Sequence, residues 1–478
     1  MRKSVLATLI VLMPSCDPGS LLDRPVAPLS VSHELVVLTR NSPTTRYVGA
    51  DGNHAGMEQD LVSLFARDLG VTVRFVERNK ISQILPALDD HAAHLAAAGL
   101  GQTPERRASF NFAPPYLSVR KVVVYNQDHG RPRVMADLVG KRIEVVAGSS
   151  SARQLQIEAR QIPKLKWVEV AAEDSDALLA RLADNELDVV VADSNSVDLA
   201  RTYFPNLAVA FPIGTVETVA WAFPRDGDAS LLARAQVFFK RIENDGTLKN
   251  LVDRYYGHTR NLDQTDIMAF LERRTRVLPR FRNAFRDAQE LCGLDWRLLA
   301  ALGFQESHWN PYATSPTGVR GLMMLTEATA DRMKVSDRLD PRESILAGAR
   351  YLQSLRETLP ERIAEPDRTW LALAAYNVGL GHLEDARILA QRKGLNPDSW
   401  ADVKSVLPLL AQSPHYGNLK YGFARGHEAV TLTENIRNYY AILVRFEDVH
   451  APLFPSLTAM FRLDPGRQKL KVESVPTI

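Results

Sequence analysis

The stretch FQESHWNPYATSPTGVRGLMML, Phe304 to Leu325, follows an apolar run, DWRLLAALG, and places a carboxylate where that run still faces inward. Asp295 is a good N-cap for a helix that begins at Trp296. Trp296, Leu299, Leu302 or Gly303, and Glu306 recur at spacings of three or four, which puts them on one helical face. Asn310-Pro311 is then expected to end the helix. A carboxyl held against apolar surface loses hydration when it ionises, so its pKa rises. An acid kept protonated near neutral pH can donate a proton. The competing reading is a helix-end glutamate that reaches out to water, and position alone leaves both open.

Outward from this stretch the chain is helical. SPTGVRGLMML has two glycines and a proline and forms a tight loop returning to a new helix at about Thr326. TWLALAAYNVGLGHLEDA (369–386) is an apolar helix ending in polar Tyr376 and Asn377 just before Gly379, and ENIRNYYAIL (434–443) is helical again. Helical runs are expected at 266–277, 279–292, 295–308, 327–333, 341–358, 367–377, 381–392, 402–410 and 434–446. Almost no alternating strand pattern occurs among them.

Upstream of the polar linker GHTRNLDQTD (257–266) the character changes. LVVLTR (35–40), VTVRFVE (71–77), KVVVYN (121–126), RIEVVAG (142–148), LDVVVAD (187–193) and TVAWAFP (218–224) are strand candidates by alternation and β-branching. MEQDLVSLFARDLG (57–70) is a helix closed by Gly70. ISQILPALDDHAAHL is helical with a proline interruption, and AAAGL turns into a short strand. This is α/β architecture. The pattern appears on either side of about 115–125, which implies two lobes with a cleft.

At 478 residues the chain is too long for one ordinary core. Its 45% apolar and 24% charged composition is that of a soluble globular protein. A net charge of +2 gives nucleic-acid binding no support. Cys16 and Cys292 form neither a disulfide framework nor a metal spacing. His91 and His94 lack a third partner, so no metal or cofactor is implied. The six arginines within Arg273–Arg286 fit a solvated helical face better than an anion-binding one. GSSS lacks the G-x-S-x-G pattern of a nucleophile elbow.

The N-terminus, MRKSVLATLIVLMPSCDPGS, has a basic head, a short apolar run and breakers, the pattern of a secretory signal peptide. Ser15 suits lipidation at Cys16, whereas Pro14 and Met13 do not. The expected organisation is a signal segment over 1–20, an α/β domain over 30–258, an all-α domain over 259–455 and a loosely held tail over 456–478.

ESHWNPYATSPTGVRGLMML, AAYNVGLGH and ENIRNYY resemble the successive motifs of the lysozyme-like lytic transglycosylases, in the family's order over about 140 residues. The resemblance implies a goose-lysozyme-like helical fold with one catalytic glutamate, which maps to Glu306. It assigns Ser315 to contact with substrate or the acid, Tyr376 and Asn377 to the sugar-binding AYN motif, and Tyr439 to the neighbourhood of the acid. Many relatives have GLMQ, and here the Gln position is Met324. GLMML followed by Thr326 is similar instead to the membrane-bound lytic murein transglycosylase F subfamily, which carries an N-terminal domain like a periplasmic solute-binding protein.

What this implies is cleavage of peptidoglycan glycan strands between N-acetylmuramic acid and N-acetylglucosamine. Glu306 would act first as acid and then as base, and the sugar's own C6 hydroxyl would close a 1,6-anhydro ring. No second acid has a motif around it; Glu327 and Asp331 look like solvated helix positions. Two other readings stand beside this one: a lysozyme-type hydrolase, and a solute receptor with a non-catalytic glycan-binding helical module.

In the first half, HAGMEQDLVSLFARDLG, GQTPERRASFNFAPPYL, VVAGSSSA, ELDVVVADSNS and NDGTLKNLVDRYYG resemble segments of amino-acid-binding periplasmic receptors, a two-lobed α/β fold. That resemblance implies a ligand carboxylate on Arg106, three residues after Thr103, and a ligand ammonium on Asp193. Ser149 and Ser150 would offer hydroxyls and N–H groups at a helix N-terminus. The expected ligand is a stem peptide or amino acid that modulates the second domain; the alternative is a scaffold that has lost its ligand. The expected location is the periplasm, at the outer membrane surface.

Overall fold

A computed structural model of the protein describes residues 25–451 apart from 50–51, 79, 172–173 and 260–262. The expected signal segment, Cys16 and the 456–478 tail lie outside the described residues. The chain divides into two compact units, residues 1–260 and 261–478.

The first unit holds two five-stranded sheets. In one, the order is Thr72–Glu77, Glu34–Thr39, Leu95–Ala96, Ala222–Pro224 and Phe110–Phe112. Glu34–Thr39 pairs in parallel with both its neighbours. Its near-continuous apolar sequence follows from being covered on both faces. Leu35 and Val37 pack with Leu61 and Phe65 of the helix Met57–Leu69, and Val36 and Leu38 pack with Ile84 and Leu88. The helix ends as expected, with Gly70 left-handed at φ 71°.

The second sheet runs Leu207–Val219, Leu117–Asn126, Val189–Asp193, Ile143–Val146 and Val168–Val170. Two crossings join the sheets, and here the sequence expectation fails. TVAWAFP was expected as one strand; instead one strand ends at Val219 and the next, Ala222–Pro224, belongs to the other sheet. The chain therefore returns, and the segment beyond 222 completes the first lobe. The other crossing, Ala113–Tyr116, lies alongside: the Ala113 N–H donates to the Trp221 carbonyl and the Tyr116 N–H to the Val219 carbonyl, both at 3.0 Å.

Behind these crossings sits Glu58, fully buried. Its carboxyl accepts from the Tyr116 hydroxyl, from Trp221 Nε1 at 2.7 Å and from the Gly99 N–H at 3.0 Å. Burial pushes its pKa up, against those donors.

The second unit is helical. Asp367–Val378, Trp296–Ser307 and Gly426–Phe446 form its centre. Glu327–Met333 and Pro341–Thr358 match their expected bounds. Two expectations need correction. The 402–410 run is a short helix, Trp400–Val406, continued by a 3-10 segment, Leu407–Ala411. The last helix starts at Gly426 rather than 434. A buried charge cluster braces it: Glu434 takes Arg437 at 2.8 Å, Lys404 at 3.2 Å and Trp400 Nε1 at 2.6 Å.

Candidate active site

Glu306 lies on the helix Trp296–Ser307, capped by Asp295 through the Arg297 N–H at 2.9 Å. The helix is not amphipathic, as the three-four spacing implied. Every residue from Trp296 to Phe304 is buried, including Arg297, whose guanidinium is held by Asp295 at 2.6 Å. Only the last turn emerges, and Glu306 is half-buried there. Among the described residues its carboxyl has no hydrogen-bond or ion-pair partner. Burial alone pushes its pKa up to about 8.

The helix stops before Pro311. His308 and Trp309 are both left-handed, at φ 52° and 57°, a conformation that side-chain-bearing residues adopt only when their surroundings hold them. Trp309 is held by its Nε1 bond to the Ala300 carbonyl at 2.8 Å and by contacts with Phe270 and Phe304. Ser307, next to the acid, donates to the Leu322 carbonyl at 2.7 Å and so pins the following loop to the helix end.

That loop needs Gly321. Its φ is 85°, and a Cβ there would lie 1.9 Å from the Arg338 carbonyl oxygen. Met323 is buried, with its N–H on Ser344 Oγ at 3.1 Å. Met324 is left-handed at φ 46° and half-buried.

The structure brings Tyr376 to this corner. Its hydroxyl donates to the Met323 carbonyl at 2.9 Å. Burial first, then the charges of Glu306 and Tyr351, hold its pKa well above the ordinary value. Asn377, beside it, is exposed. Tyr439 is placed differently: its ring is buried against Phe270 and Phe304, at 4.5 and 4.8 Å between centroids. Its pKa is raised by burial and by Asp266. The Glu306 charge acts on Tyr376, and Tyr439 packs on Phe304 of the same helix. Ser315 Oγ is engaged within its own loop, with Thr317 Oγ1 at 2.9 Å and the Val319 N–H at 3.1 Å. Glu327 and Asp331 are exposed on their helix.

One surface was missed. Tyr421 and Phe423 are half exposed, at 50% and 55%. Their loop is anchored by buried Asp385, which accepts from the Tyr421 N–H at 2.7 Å. The Tyr421 ring lies over Gly381, where a Cβ would come within 2.8 Å of it. Lys420 sits over the same ring at 5.1 Å. Gly381 follows closely on Tyr376 and Asn377, so the Tyr421 ring adjoins the AYN turn. The arginine-rich segment, by contrast, is largely paired: Arg274 and Arg282 both reach Glu447, at 2.9 and 2.7 Å, and Arg276 reaches Glu272 at 2.5 Å.

In the first unit, Thr103 caps a short helix by accepting from the Arg106 N–H at 3.3 Å. Arg106 donates to the Gly101 carbonyl at 3.0 Å and, across the lobes, to the Gly148 carbonyl at 3.1 Å. Ser149 caps the helix Ser150–Ala159 through the Ala152 N–H at 3.1 Å, and Ser150 opens that helix. Asp193 forms an ion pair within the protein, and its Oδ1 has no hydrogen-bond partner among the described residues. Lys121 Nζ lies 2.8 Å from it and also contacts Glu217.

A half-buried acid of raised pKa at the end of a buried helix, beside a tyrosine-asparagine turn, defines a lysozyme-like lytic transglycosylase, here behind a solute-binding-protein-like domain. The comparisons agree: the Transglycosylase SLT domain matches residues 283–397, and bacterial extracellular solute-binding proteins, family 3, match residues 35–258. The chain belongs to the membrane-bound lytic murein transglycosylase F family. The member from Methylobacillus flagellatus is 46% identical over 95% of this chain and 97% of its own. The member from Nitrosospira multiformis is 49% identical over 93% of this chain and 92% of its own. Among solved structures, holo ArgBP from T. maritima is 25% identical, covering 48% of this chain and 98% of its own, with a TM-score of 0.41. Among the described residues no helix is long and apolar enough to cross a membrane.

Proposed function

We propose that Glu306 carries the murein cleavage alone, as acid and then as base. The observation behind this is that Glu306 stands half-buried at its helix end with no hydrogen-bond or ion-pair partner among the described residues, while Glu327 and Asp331 are exposed on the next helix. Protonated Glu306 donates to the glycosidic oxygen between N-acetylmuramic acid and N-acetylglucosamine as the bond breaks with oxocarbenium character. The carboxylate left behind then takes the proton from the C6 hydroxyl of the same muramic residue. That oxygen attacks the anomeric carbon and closes the 1,6-anhydro ring. A tethered nucleophile needs no second acid to position water.

Tyr376 fixes the turn that presents Asn377 to the sugar, and Met324 and Ser315 line the approach. Tyr439 supports the Glu306 helix from behind through Phe304. Tyr421 and Phe423 extend the glycan-binding surface past the AYN turn. The first domain binds a small peptidoglycan-derived ligand and modulates cleavage, and the protein works in the periplasm at the outer membrane, attached peripherally or by a lipid at Cys16. Mass spectrometry of a sacculus digest tests the chemistry. Anhydro ends support the intramolecular route, and reducing ends point to attack by water.

A further inference from the structure

The first unit has a second concavity, apart from the cleft between its lobes. Its volume is about 800 Å³, the size of a small-molecule site. Phe112, Pro114 and Pro115 give it an apolar lining beside one of the crossings. Opposite them the helix Ala229–Asn244 contributes Gln236, Lys240 and Glu243, whose spacings of four and three put them on one face. Thr218 also lines it, whereas the next residue, Val219, lines the small pocket of the interlobe cleft with Arg40 and Asp193. Successive strand residues face opposite sides, so the two concavities lie on opposite faces of that strand.

Its hydrogen-bonding capacity is one-sided. Both ends of the Gln102 amide are engaged. Oε1 accepts from Arg107 Nη2 and from Thr218 Oγ1 at 3.2 Å, and Nε2 donates to the Ala113 carbonyl at 3.3 Å. Asn111 is engaged in the same way: Oδ1 accepts from Arg225 Nη1 at 3.2 Å, and Nδ2 donates to the Arg225 carbonyl at 3.0 Å. Each guanidinium is thus oriented by one neutral amide and keeps further N–H groups. Lys240 adds a third cation. None of the three forms an ion pair among the described residues, and Glu243 is the one carboxylate in the lining.

An isolated surface arginine carries no such meaning. Here two arginines and a lysine line one concavity with an apolar side, and the amides that could have accepted from a ligand are turned to the guanidiniums instead. What remains on offer is mostly donors and positive charge. A planar guanidinium with free N–H groups matches the paired oxygens of a carboxylate or phosphate, and it keeps its charge at any working pH.

We propose that this concavity is an anion-binding site, separate from the cleft, for a ligand that carries two oxyanion groups on an apolar spacer. Arg107 and Arg225 each grip one group, Lys240 balances the remaining charge, and the spacer rests on Phe112, Pro114 and Pro115. Carboxylates and phosphates share this chemistry. The site does not depend on what the cleft binds.

Isothermal titration of the full chain at low salt, with adipate and with butane-1,4-bisphosphonate, tests this. The probes share one spacer and differ only in the oxyanion, so the tighter of the two assigns the ligand as carboxylate or phosphate. At least one should bind with a Kd of about 1 mM or below. Arg107→Gln and Arg225→Gln should each weaken that binding by about tenfold or more, with circular dichroism unchanged. Should Arg107→Gln not fold, Arg225→Gln and Lys240→Gln decide. Arg40→Gln, which alters the cleft, should leave the binding as it is. Binding that the site variants leave intact, or that Arg40→Gln abolishes, overturns the proposal. So does the absence of binding by both probes.

Discussion

The Tyr376 hydroxyl donates to the Met323 carbonyl at 2.9 Å, tying the helix that ends in Asn377 to the loop folded over the Glu306 helix. The Tyr376–Asn377 turn and the loop after the Glu306 helix are thereby joined by a bond between residues that lie fifty-three apart in the chain.

Tyr376→Phe removes that bond and leaves a buried carbonyl without its donor. The expected loss of stability is about 1 kcal/mol, read as a fall of roughly 2–4 °C in the melting of the helical unit. Turnover should fall by about tenfold, ~1.4 kcal/mol of transition-state positioning. An unchanged kcat would show that the tie is structural only.

Gly321→Ala should be far more damaging than Gly318→Ala. Both glycines are left-handed, at φ 85° and 80°. A Cβ at 318 meets nothing within 4 Å, whereas one at 321 would lie 1.9 Å from the Arg338 carbonyl. The first change should cost about 1 kcal/mol for backbone strain alone, and the second clearly more, because backbone must move. Parallel thermal melts compare them, and equal melting temperatures would contradict the close approach.

The raised pKa of Glu306 is also a statement about stability. Its folded value is about 8, against 4.5 for an unburied glutamate. Between those values the unfolded chain has released a proton that the folded chain keeps. Stability from this group is therefore complete below about pH 4.5 and declines as pH rises to about 8. Glu306→Gln removes that decline. The variant should melt with the wild type at pH 4.5 and above it at pH 8.5. A constant difference across this range would mean that the carboxyl titrates normally.

Tyr421→Ala should raise KM for glycan strands about fivefold with kcat little changed, ~1 kcal/mol of uniform binding. Steady-state kinetics on soluble glycan chains distinguishes this from a fall in kcat, which would place Tyr421 in the chemistry instead.

Much of the helical unit was legible because its apolar spacing and caps agree. Thr326, Asp340 and Asp295 accept from their helices' first-turn N–H groups as their sequence contexts imply. The start of the last helix was not, since Gly426, Val430, Thr431 and Thr433 all weigh against helix and only packing holds them in it. The split of TVAWAFP was invisible because alternation does not say which sheet a strand joins. Glu306 was legible for a reason that proved incomplete: its helix is buried all round, and the acid is half-buried because the helix ends there. Lys121 looked like one residue of the strand KVVVYN. Its meeting with Asp193 depends on an antiparallel register between segments about seventy residues apart, which no local pattern encodes. Tyr421 and Phe423 were passed over because exposed aromatics in a loop carry no periodic signal.

The central claim is that one acid does both proton transfers. Digestion of purified sacculi by Glu306→Gln, with the circular dichroism and melting of the variant measured beside it at pH 4.5, tests this most directly. The expected result is a folded protein whose release of anhydro-muropeptides has fallen by at least about a thousandfold, on the scale of removing a general acid–base group. A folded variant that still releases them at the wild-type rate would contradict the account.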